Sequence, residues 1–106
     1  MPTEYSRSES DIKMRLKAAA KNDNFDSSLM AEAHAFGARL SIQKNYTDAA
    51  EIYKLLLEMQ EKHLGSNHPD LANSLEYLAL VVYENGDKIQ AMTLNYRALA
   101  LRQTVS

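Results

Sequence analysis

Two histidines and an aspartate fall within the eight-residue stretch HLGSNHPD, His63 to Asp70, around a glycine and beside a proline. Imidazole nitrogens and a carboxylate are the donors of a zinc site, and they can also serve as an acid–base set. Either use requires His63, His68 and Asp70 to converge on one point. Their positions argue otherwise. His63 ends an apolar-periodic segment, where a cation suits the negative helix end. His68 precedes a proline and is biased towards extended backbone, while Asp70 belongs to the start of the next segment. A metal-dependent protein using the 63–70 loop stays as an alternative reading, but the residues point first to a turn between helices.

Other chemistry has less support. There is no cysteine among the 106 residues, which excludes thiolate catalysis and thiolate zinc sites. No serine sits in a nucleophile-elbow context, and no glycine-rich phosphate loop is present. Carboxylates such as Glu58 and Glu61 are spaced as neighbours on a solvated helix face. The formal charge is −2, so nothing in it favours nucleic acid or an anionic membrane. The lysine-bearing face of the first segment, Lys13, Lys17 and Lys21 with Arg15, reads as an ordinary exposed face. The expectation is no catalytic residue, no metal ligand set and no cofactor. With no secretory leader and no long apolar run, a cytoplasmic location is expected.

The elements that would hold such residues are helices. Three glycines, two prolines and an excess of Ala, Leu, Glu and Lys leave no strand-type alternation. Five segments show helical spacing of apolar residues. The first runs from about Ser10 to Asn22 with Ile12, Leu16 and Ala19 on one face. The second covers Ser27 to Lys44, with Leu29, Ala33, Phe36, Gly37 and Leu40. The third runs from Tyr46 to His63, with Ala49, Ile52, Tyr53, Leu56 and Met59. The fourth opens at Pro69, where a missing N–H is no loss, and closes at Asn85-Gly86. The fifth extends from Lys88 to about Thr104.

Asn45 and Asp87 are both placed to cap the helix that follows, each with a polar partner three residues on. They lie 42 residues apart. At that offset Leu29 falls on Leu71, Ala49 on Ala91 and Leu57 on Leu99. Phe36 falls on Leu78, Gly37 on Ala79, Leu40 on Val82 and Ile52 on Leu94. Apolar positions stay apolar, and the small residue in mid-helix stays small. This is the signature of a helix-hairpin array, in which each unit buries its faces against its neighbours.

The string HLGSNHPDLANSLEYLALVVYENG, residues 63–86, resembles the tetratricopeptide repeat in its longer, kinesin-light-chain-like form. The resemblance covers about residues 26–104. It implies an all-α antiparallel helix-hairpin array with right-handed superhelical stacking: a flexible tail (1–7), a capping helix (8–24) and two repeats (25–66 and 67–106). It also implies a scaffold or adaptor that binds a peptide or helical segment on its concave face. The positions matching that face are His34, Ala38 and Ser41 in the first repeat, and Asn73, Glu76, Tyr77, Leu80 and Tyr83 in the second. Glu76 and Tyr77 replace the two asparagines usual there, and Asn95 stands where an aromatic is usual, as Tyr53 does in the first repeat.

Arrays of this kind usually close with a helix of polar outer face, and here the fifth segment comes last. It carries Met92, Tyr96, Leu99 and Val105 beyond its inward-facing set. Unpartnered apolar surface of this sort marks an interface. A homo-oligomer or larger assembly through this helix is therefore the second expectation beside a protein or peptide ligand in the groove. Neither nucleic acid nor a membrane is expected as a partner.

Overall fold

The structure is a computed structural model that describes residues 2–22 and 27–103, with side chains from Ser10 onward. Five helices follow one another: α1 (Pro2–Lys21), α2 (Ser27–Ile42), α3 (Tyr46–Leu64), α4 (Leu71–Glu84) and α5 (Lys88–Gln103). No strand occurs among the described residues. The molecule measures 47 × 32 × 19 Å. Its thinnest dimension is that of two packed helix layers, each about 10 Å deep.

The core is a single cluster that runs through all five helices, from Ile12 and Leu16 in α1 to Ala98 and Leu101 in α5. α2 pairs with α3 and α4 with α5, while α3 also packs on α4 and so joins the two pairs. α1 lies chiefly against α3 and touches α2 less. Two ion pairs hold it there: Lys13 Nζ to Glu51 Oε1 at 2.8 Å, and the Arg15 guanidinium to Glu32 at 2.9 Å. Part of the cationic face expected to be simply exposed thus fastens α1 to the two helices beneath it.

The 42-residue period is clearest in the backbone of the two turns within the pairs. Asn45 N–H donates to Leu40 O at 2.8 Å, and Asp87 N–H donates to Val82 O at 2.8 Å. Lys44 N–H reaches Ser41 O and Gly86 N–H reaches Tyr83 O, each at 3.0 Å. Lys44 and Gly86 both have positive φ, 65° and 99°. Each turn needs one left-handed residue to end its helix, which glycine supplies without strain and lysine does not.

Three local expectations are corrected. α1 begins at Pro2, so it takes in residues that the sequence assigns to a tail; a proline in the first helical turn costs no hydrogen bond. α4 begins at Leu71 rather than Pro69. His68 Nδ1 accepts the Asp70 N–H at 3.1 Å and Leu71 N–H bonds His68 O, so residues 68–70 form a turn ahead of the helix. Asn45 makes no capping bond with its side chain, which instead meets Gln43 at 3.4 Å. Asp87 does cap, accepting the Gln90 N–H at 3.0 Å.

Candidate functional site

Tyr53 of α3 joins its own helix pair to the next. Its ring is 1% exposed and lies against the backbone of Gly37, where a Cβ would meet ring atoms at 2.8–3.2 Å. No other residue lets α2 come so near α3 at this point. Tyr53 stacks on Tyr77 of α4, with centroids 5.7 Å apart and planes 12° from parallel. His34 of α2 stands edge-on to both rings, 5.5 Å from Tyr53 and 4.3 Å from Tyr77. The Tyr53 hydroxyl donates to His34 O at 3.4 Å. Burial pushes the Tyr53 phenol up to about 12, with Tyr77 adding to the shift. Three aromatic side chains, from three helices and both pairs, form one unit.

Beside this unit a cavity of about 490 Å³ opens between α2 and α4. His34, Asn73 and Tyr77, all anticipated as groove residues, line it. The residues not anticipated there are Met30, Ala31 and Leu56 on its apolar side, and Ser27, Gln60, Asp70 and Ser74 on its polar side. Gln60 and Ser74 are each 3% exposed, and the serine hydroxyl donates to the glutamine carbonyl oxygen. That pair satisfies two polar groups in an otherwise apolar seam, as burial demands. The signal in the sequence was a polar residue at an inward position on each of two facing helices.

The remaining groove candidates lie elsewhere. Ala38 and Ser41 continue the His34 stripe of α2 and are half-buried, with the Ser41 hydroxyl bonded to Gly37 O at 3.0 Å. Glu76, Leu80 and Tyr83 form the matching stripe of α4, beyond the cavity. Glu76 meets the Arg102 guanidinium of α5 at 2.7 and 3.0 Å, and Arg102 also donates to Asn73 Oδ1 at 3.0 Å. The Arg102 hydrogen bond holds the Glu76 carboxyl below its usual range. Lys88 Nζ sits 5.7 Å from the centre of the Tyr83 ring. Both contacts set the Glu76–Leu80–Tyr83 stripe alongside α5. Leu80 is 58% and Tyr83 is 49% exposed.

On α5, Met92, Tyr96 and Leu99 are exposed, and Ile89 joins them at 79%. Val105 lies outside the described residues. Met92, Asn95, Tyr96 and Leu99 line a shallow, largely apolar depression. Around the 63–70 loop no ligand set gathers: no group of three or more His, Asp or Glu side chains could hold a metal ion among the described residues. No helix of the described residues is long and apolar enough to cross a membrane.

The tetratricopeptide-repeat family model matches residues 29–104. The chain belongs to the tetratricopeptide-repeat family. The match covers both helix pairs and leaves α1 outside. Comparison with curated proteins and with solved structures found no match. Tetratricopeptide repeats are in general protein-interaction modules rather than catalysts.

Proposed function

We propose that this tetratricopeptide-repeat chain is a non-catalytic scaffold or adaptor that holds a peptide or helical segment of a protein partner on the concave side of α2 and α4. The cavity between the repeats carries the reading. Its apolar wall of Met30, Ala31 and Leu56 suits one bulky side chain, and Asn73 at its edge offers an amide to a peptide backbone. Tyr77 forms its rim, with apolar area and a free polar tip for a ligand. The test is selection of binders from a displayed peptide library, followed by titration of the best peptide. Tyr77→Ala and Asn73→Ala are expected to weaken binding at least about tenfold while Leu99→Ala leaves it unchanged. Equal affinity for all three variants defeats the groove reading.

A second reading rests on a different surface. The exposed row Ile89, Met92, Tyr96 and Leu99 on α5 favours self-association through that helix. Light scattering over a hundredfold range of concentration tests it, and a constant monomer mass defeats it.

A further inference from the structure

The two repeats allow the same surface to be examined twice, once partly buried and once exposed. On the first repeat, Ala38 and Ser41 are half-buried and Ala50 is only 8% exposed. The 42-residue offset maps these positions onto Leu80, Tyr83 and Met92, which are 49–59% exposed. Small residues that admit a neighbouring helix closely are replaced by large apolar ones. The outer face of the second repeat is therefore the more apolar of the two.

Along α5 the exposed residues Ile89, Met92, Tyr96 and Leu99 are spaced 3, 4 and 3 apart. This is the a/d spacing of a coiled-coil seam, and it reads the same in both directions. Two copies of α5 laid antiparallel would set Ile89 opposite Leu99 and Met92 opposite Tyr96, twice over. Together with Leu80 and Tyr83 the row offers roughly 700 Å² per copy, near the ~800 Å² per partner of a standard stable interface. Charge selects the direction. α5 has Lys88, Arg97 and Arg102 and no acidic residue, so a parallel pair would stack like charges. Antiparallel, Arg102 of one copy comes level with Asp87 of the other, and the two helix dipoles oppose.

We infer that a second copy of this chain covers the outer face of α4 and α5, through a twofold antiparallel pairing of α5. The inference rests on the reading of α5 as a self-association surface, and it adds the partner's orientation and a limit of two copies.

Because the chain has no native cysteine, single cysteines report the geometry cleanly. The proteins used are the 106-residue chain carrying Ile89→Cys or Leu99→Cys, both at exposed positions, under mild oxidation, with molar mass of the parent chain measured alongside. An equimolar mixture is expected to give a disulfide dimer joining the two variants in high yield, with twice the monomer mass in solution. Each variant alone is expected to stay uncrosslinked, because like positions are then about 15 Å apart along the helices, beyond the roughly 7 Å Cα limit of a disulfide. Tyr96→Glu is expected to weaken the dimer at least about tenfold. A crosslink in either variant alone indicates parallel pairing and overturns the inference, as does a dimer that crosslinks in no combination. A mass that grows beyond two copies overturns the limit of two while self-association stands. A monomer at all concentrations overturns both.

Discussion

The inner joint of this molecule and its outer face are the same surface 42 residues apart, and they have diverged in opposite directions. At the joint, Gly37, Tyr53, Leu56 and Gln60 make a close, aromatic and fully satisfied contact. At the matching positions of the second repeat stand Ala79 and Ala98, both buried, and Asn95 and Arg102, both exposed. The stacking ring has become an amide, the leucine has become an alanine, and the buried glutamine has become an arginine bonded to Glu76. The backbone turn that precedes each surface is unchanged in its hydrogen bonds. Backbone geometry therefore preserves the repeat, while side chains decide what each repeat presents to its neighbour.

The comparison can be broken most severely by giving the joint the second repeat's residue. Leu56 is 1% exposed, and Leu56→Ala is expected to cost about 2–5 kcal/mol in denaturant unfolding. Leu99→Ala, on the exposed row, is expected to cost under about 0.5 kcal/mol to the monomer.

Alkaline pH probes the same joint without changing its packing. The Tyr53 phenol is raised from 10.0 to about 12 in the folded chain. Its contribution is fully present below pH 10 and is lost as pH rises from 10 to 12, because the unfolded chain then releases a proton that the fold retains. Tyr53→Phe is expected to flatten that part of the stability profile, measured by thermal unfolding from pH 8 to 12. An unchanged slope in the variant would place the titration elsewhere.

The turns offer a smaller and opposite effect. Lys44 holds a left-handed backbone that Gly86 holds in the second repeat. Lys44→Gly is expected to stabilise the chain by up to about 1 kcal/mol, and Gly86→Lys to destabilise it comparably. The smallest effect belongs to Arg102. Its pairing with Glu76 is solvent-exposed, and a double-mutant cycle on the two residues is expected to give a small coupling that fades as salt is added.

The helix count and the pairing were legible because scarce glycine and proline, together with apolar spacing, leave few alternatives. The repeat was legible through substitutions that keep size and polarity, such as Gly37 for Ala79. Helix ends were less so. Asn45 and Asp87 occupy the same place in the same turn, yet only Asp87 caps. The Asp87 carboxylate accepts the Gln90 N–H, while the Asn45 amide turns to Gln43 instead. The start of α4 was misread because Pro69 fits a first helical turn and a preceding turn equally well. The cavity escaped notice in part because Gln60 and Ser74 come together only after α3 and α4 pack. Long side chains were the least legible: Arg97 reaches Glu61 and Arg102 reaches Glu76 across helices. Such partners depend on tertiary position rather than on spacing along one helix.

α3 buries nine of its residues and α5 buries three. Free energies of local opening follow such differences, so amide hydrogens of α5 should exchange well before those of α3. A helix that is docked only on one side spends a measurable fraction of its time undocked. Whatever covers its outer face would then slow that exchange, and its binding would be coupled to the folding of the last helix. The bare side of α5 makes the order of the final sixteen-residue helix a reporter of occupancy.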